Sequence, residues 1–95
     1  MHGSVIFHIP GPLRSFTDGR SEVQVETAAS TLREALDLLC TLYPGIRDRV
    51  LTEQGTVREH INIFVGNEDS RYTGGLATRI LPDAQITIVP AITGG

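Results

Sequence analysis

Ninety-five residues, 40% hydrophobic and 20% charged, describe one globular domain with an ordinary core, not a disordered chain. A formal charge of −3 and a pI near 5.5 argue against nucleic acid or an anionic membrane as the main partner. Cys40 is the only cysteine, which excludes an internal disulfide and a multi-cysteine metal site. No apolar run approaches the roughly 20 residues that span a bilayer, and no basic-plus-apolar leader precedes the first strand, so the expected compartment is the cytoplasm.

In chain order, Val5-Ile6-Phe7-His8-Ile9 reads as a strand, closed by Pro10-Gly11-Pro12. Thr17-Asp18-Gly19 is a turn signal, and Glu22-Val23-Gln24-Val25-Glu26 alternates with period two, so an antiparallel hairpin is expected. Thr31 and Glu34 have capping-box spacing, and Leu32, Ala35, Leu36, Leu39, Leu42 and Tyr43 form the apolar stripe of a helix that Pro44-Gly45 stops at Tyr43. A short helical turn is expected from Ile46 to Leu51. Ile61-Asn62-Ile63-Phe64-Val65 is a third strand, followed by a turn over 66–70. The segment from Tyr72 to Leu81 is broken by glycine and is expected to hold one short strand and a single turn. The last strand runs from Gln85 to Pro90. One capped helix over a sheet of four to five strands makes this an α+β domain, with room for the last strand to lie centrally beside the first.

Beyond that strand the chain reads Ala91-Ile92-Thr93-Gly94-Gly95. Two glycines make the slimmest and most pliable end a chain can have. From the residues alone, the diglycine is open between a frayed terminus or fusion scar and a working end that enters a narrow place. The expected division is a folded domain over 1–92 and a flexible tail over 93–95.

Period-two alternation puts Ile61, Ile63 and Val65 on one strand face and Phe64 on the other; Ile6 and Val89 likewise oppose the core sets of their strands. Ile6, Phe64 and Val89 are thus candidates for a solvent-facing docking patch, unless the 72–82 segment covers them. Cys40, near the helix stripe, reads as a small buried hydrophobe. His2, His8 and His60 lack ligand spacing, so no metal is expected. No nucleophile–base or carboxylate-pair constellation is present, so no catalytic residues are assigned. All eight basic residues are arginine, which fits either a compositional bias or a chain that gains by carrying no side-chain amine.

Ile9-Pro10 with Pro12-Leu13-Arg14, Leu32-Arg33-Glu34-Ala35-Leu36, Tyr43-Pro44-Gly45-Ile46-Arg47, His60 through Val65, Asn67-Glu68-Asp69-Ser70-Arg71 and Ile86 through Ala91 follow one another in an order that ends at Gly94-Gly95. In these segments the chain resembles the MoaD/ThiS family of ubiquitin-like sulfur carriers, closest to the CysO branch. It departs from the family in two turns, Val65-Gly66-Asn67-Glu68-Asp69 and Asp83-Ala84-Gln85. The resemblance implies a β-grasp fold and a carrier that is not itself an enzyme. It further implies that an E1-like adenylating enzyme of the MoeB/ThiF type, using ATP, activates the Gly95 carboxylate. A sulfur donor then makes a thiocarboxylate for an accepting biosynthetic enzyme, with Thr93 and Gly94 as the tail and no resident cofactor. The pathway served is left open among cysteine, sulfur-containing cofactors and secondary metabolites. A ubiquitin-like protein modifier joined through Gly95 and a simple interaction module are the alternatives.

Overall fold

The computed structural model describes residues 3–90. Strand β1 (Gly3–His8) pairs antiparallel with β2 (Glu22–Thr27), with Phe7 opposite Val23 and Val5 opposite Val25. Helices α1 (Leu32–Leu42) and α2 (Pro44–Val50) follow, then β3 (Ile61–Val65), the two-residue β4 (Glu68–Asp69) and β5 (Ala84–Pro90). The sheet order is β2-β1-β5-β3-β4, so the last strand lies centrally, parallel to β1 and antiparallel to β3. That is the expected β-grasp arrangement.

The core follows from the alternation of each strand. Val5, Phe7 and Ile9, Val23 and Val25, Ile61 and Ile63, and Ile86 and Ile88 are buried together with Leu32, Ala35, Leu36, Leu39 and Cys40 of α1 and Ile46 and Val50 of α2. Cys40 takes its place there as a free, buried thiol whose pKa is pushed up by burial. Leu42 does not belong to the stripe and is 55% exposed. At about 100° per residue, Leu42 and Cys40 lie some 80° to opposite sides of the direction of Leu32, at the two margins of the stripe, and of the two only Cys40 is buried.

At the start of α1, the Thr31 hydroxyl accepts from the Glu34 backbone N–H, as capping requires. The Glu34 carboxylate reaches one residue further back than in the usual box: Oε1 accepts from Ser30 N (3.2 Å), Ser30 Oγ (3.1 Å) and Thr31 Oγ1 (3.2 Å). Pro44 stops α1 and serves at once as the first residue of α2, so the expected turn at Ile46 begins two residues earlier.

Two local expectations are corrected. Residues 72–81 contain no strand: 3-10 turns occupy Ser70–Tyr72 and Gly75–Ala77, and the extra strand is Glu68–Asp69, formed because the Gly66-Asn67 connection folds it back on Phe64 and Val65. Gly66 takes φ 62° at the first position of that connection, where a primed hairpin turn demands positive φ. In the other departing turn Asp83 takes φ 65°, with its N–H donating to Ser4 O and its Oδ1 accepting from Ser4 Oγ. A 3-10 segment over Gly11–Thr17, between the Pro10-Gly11-Pro12 stop and the Asp18-Gly19 turn, seats Leu13 and Thr17 in the interior.

Thr31→Ala should lower unfolding free energy in urea by about 1 kcal/mol, the usual worth of an N-cap; no change would mean the cap is idle. The Glu34 carboxyl is held below its ordinary pKa, first by the Ser30 backbone N–H and then by the Ser30 and Thr31 hydroxyls. Its contribution is therefore present above the unfolded carboxylate pKa and lost as pH falls through the lower folded one. Wild type should exceed Glu34→Gln in stability at neutral pH, and the gap should close in acid; a gap independent of pH would contradict this linkage.

Candidate functional site

Both helices join the core on one side of the sheet, and the opposite side carries the alternate residues of each strand. The register places them in rows. His8, Thr87, Phe64 and Asp69 lie across β1, β5, β3 and β4, with Ile6 and Gln85 in one neighbouring row and Val89 and Asn62 in the other. Phe64 and Val89 are therefore diagonal neighbours, while Ile6 stands one strand further, with Gln85 and Thr87 between. Ile6 and Phe64 are half-buried, and Val89 is 36% exposed.

The 72–82 segment does not lie over this face. Leu32 N donates to Thr78 O and Ile80 N to Ser30 O, which binds the segment to the start of α1, and Ile80 and Leu76 pack on the core side. The face is more polar than three apolar residues suggest. His8 Nε2 hydrogen-bonds Gln85 Oε1 at 2.5 Å, and His8 Nδ1 lies 3.8 Å from Glu22 Oε1.

At the end of β5 the pairing becomes one-sided. β1 pairs with β5 only as far as His8 opposite Thr87, whereas β3 holds it to Pro90 opposite Ile61. The vacated side is a shallow depression of about 490 Å³, lined by His8, Pro10, Arg14, Glu22, Val89 and Pro90 among others. Arg14 is fixed there by donating Nε–H to Ile9 O at 3.0 Å. The root of the C-terminal segment is thus rimmed by both charge signs, a feature missed in the sequence because Arg14 is brought to Pro90 only by the 3-10 segment. Gly95, Gly94 and Thr93 lie outside the described residues.

No three His, Cys, Asp or Glu side chains among the described residues are grouped to hold a metal. No helix among them is long and apolar enough to cross a membrane.

The profile of the ThiS family matches residues 7–95. The chain belongs to the ThiS family. It is 36% identical over 94 residues to the Mycobacterium tuberculosis protein named sulfur carrier protein CysO, covering 97% of this chain and 99% of that one. It superposes on a chain of the Amycolatopsis orientalis BexX/CysO complex with a TM-score of 0.84 and 34% identity, covering 96% and 99% of the two chains. For SAMP1 of Haloferax volcanii the TM-score is 0.83 at 24% identity, with 98% and 100% covered, a likeness of fold. The ubiquitin-like β-grasp class is therefore shared across ThiS-family relatives and more distant chains.

Adjacent residues of β5 separate the two faces experimentally. Val89→Asp should change unfolding free energy by no more than about 0.5 kcal/mol, as surface substitutions do. Ile88→Ala, in the core, should lower it by about 2–5 kcal/mol. Comparable losses at both positions in urea denaturation would show that the outer face is also packed.

Proposed function

We propose that this ThiS-family chain is a sulfur carrier, acting as a protein substrate with no catalytic residues of its own. The observation that carries the reading is the likeness, over nearly the full length of both chains, to proteins named sulfur carriers. The working group in this reading is the Gly95 carboxylate, reached through Thr93 and Gly94.

The chemistry follows from the carboxylate's inertness. With a pKa of roughly 3.5, an α-carboxyl is an unreactive anion at neutral pH. It attacks the α-phosphorus of ATP, releasing pyrophosphate and forming an acyl adenylate. A sulfur nucleophile then attacks the acyl carbon, AMP leaves, and a thiocarboxylate remains for the accepting biosynthetic enzyme. An E1-like enzyme of the MoeB/ThiF type would supply the closed ATP site in which water cannot compete. Ala91 to Gly95, five residues, can extend about 17 Å from Pro90. That reach lets the terminus enter such a site while the folded domain stays outside. Ile6, Phe64 and Val89 are the proposed docking contacts for that enzyme, and the cytoplasm is the proposed compartment. No resident cofactor takes part.

Incubation with ATP, the cognate activating enzyme and sulfide should raise the intact mass by about 16 Da as sulfur replaces oxygen. Deleting Gly95 withdraws the carboxylate by about 3.4 Å, and Gly94→Val adds a branch to a bare backbone. Both should leave thermal stability unchanged while thiocarboxylate formation falls a hundredfold or more, since even ~1 Å of misplacement can have that effect. Normal activation of the Gly95-deleted chain would rule out this carboxylate as the acceptor, and adducts on other proteins would mark a modifier instead.

A further inference from the structure

β4 pairs only with Phe64 and Val65, so among the described residues the edge of β3 from Ile61 to Ile63 has no strand partner on that side, while the Ile61 N–H donates to Arg58 O of the preceding loop at 3.0 Å. A groove of about 680 Å³ lies along it, touching Ile61, Asn62 and Ile63 in succession. Consecutive strand side chains point to opposite faces, so a groove that meets three in a row follows the strand's edge and not either face. Its walls come from the loop over 56–59 and from the 69–76 segment.

The two sides of this groove differ in chemistry. Val57 and Leu76, both packed against the core, line it on the helix side of the sheet together with Ile61 and Ile63. On the outer side the Arg71 guanidinium hydrogen-bonds Asn62 Oδ1, and Asn62 shares its face with Val89. Among the described residues no carboxylate lies within 4.0 Å of the Arg71 or Arg58 guanidinium. Two carboxylates also line the groove. Asp69 Oδ1 is occupied by the Arg71 backbone N–H at 2.9 Å, and Glu59 is exposed on the loop.

We propose that this groove is a second interaction site, which takes an extended peptide segment of a partner protein as an added strand on β3, alternating apolar and acidic residues. The backbone of such a segment would meet the strand-free edge beyond the Ile61 N–H, which the loop already occupies. Its apolar residues, two apart, would face Val57 and Leu76, and the acidic residue between them would face Arg71. The site lies on the opposite side of β3 from β5 and uses neither Gly95 nor the side chains of Ile6, Phe64 and Val89, whose face it borders only at Arg71, so it goes beyond the carrier reading.

The test uses the full 95-residue chain, labelled with ¹⁵N, and two blocked peptides: Ac-Thr-Val-Glu-Val-Glu-Val-NH₂ and its counterpart with lysine in place of glutamate. The glutamate peptide should shift the amides of Ile61 to Ile63 and of residues 69–76 and saturate about tenfold earlier than the lysine peptide, a difference expected of like-charge against unlike-charge placement. Arg71→Glu should reverse that order. Equal response to both peptides by the wild-type chain would overturn the proposal. So would shifts confined to the other sheet edge at Thr27–Ala29, or no saturable shift at all. Because the two peptides are compared on the wild-type chain, the outcome stands even if the substituted protein folds poorly.

Discussion

The fold depends on the central strand. β5 alone joins the β1–β2 hairpin to the β3–β4 hairpin, because no strand of one pair touches a strand of the other. Its inward residues Ile86 and Ile88 are buried in the core, Ile86 between Phe7 and Val65 in the register and Ile88 opposite Ile63. The parallel pairing that seats it couples Val5 to Ala84, residues near opposite ends of the chain. Contacts of such separation close late, since the loop entropy must be spent before they reward it. The sheet is therefore complete only when the segment next to the C-terminal residues is in place. Whatever Ala91–Gly95 delivers is rooted in the element that finishes the fold, which ties delivery to a folded domain.

Central placement also determines what the two faces can do. Both helices lie on one side, so the period of two that drives Ile86 and Ile88 inward pushes Thr87 and Val89 outward, where no layer among the described residues covers them. The uncovered face mixes Phe64 and Val89 with His8, Thr87, Gln85 and Asn62. A wholly apolar sheet face of this size would invite aggregation, whereas a mixed one can remain in water and still lose apolar area on docking. The edges are handled unequally. β4 protects only the last two residues of β3, leaving Ile61 to Ile63 open, and Arg71 set beside that edge supplies a charge of the kind that discourages indiscriminate strand pairing.

How much of this was legible depended on the range of the interactions. The α1 start was readable because Thr31 and Glu34 are three residues apart, and the face assignment of Ile6, Phe64 and Val89 because alternation is a local property. Leu42 was misplaced because it stands at the margin of the stripe on the last turn of α1, where burial depends on neighbours that the helical period does not report. Glu68–Asp69 could not be read as a strand from two acidic residues; the pairing is imposed by Gly66, whose positive φ folds the chain back. The 72–82 segment was misread because its hydrogen bonds pair Thr78 with Leu32 and Ile80 with Ser30, 46 and 50 residues apart along the chain. The depression at Pro90 and the groove beside β3 were not legible at all. Each gathers residues from separate loops, and nothing in Arg14 or Arg71 as single residues announces a neighbour across the fold.

The use of arginine alone gains a physical meaning in this arrangement. Arg14 rims the root of the C-terminal segment, and Arg58 and Arg71 line the groove, so every lysine-type role at the two proposed contact regions is filled by a guanidinium. Lysine would give the same charge, but with a pKa of about 10.4 roughly one in a thousand of its amines is unprotonated near neutral pH, and that form attacks activated acyl groups. A guanidinium stays protonated and does not. If Gly95 is carried through an acyl adenylate, a chain without lysine has no side-chain amine on which its own activated end, or that of another copy, can be lost. In that reading positive surface charge and tolerance of an activated C-terminus are met by the same residue choice, and substituting arginine by lysine near Pro90 would preserve the first property while sacrificing the second.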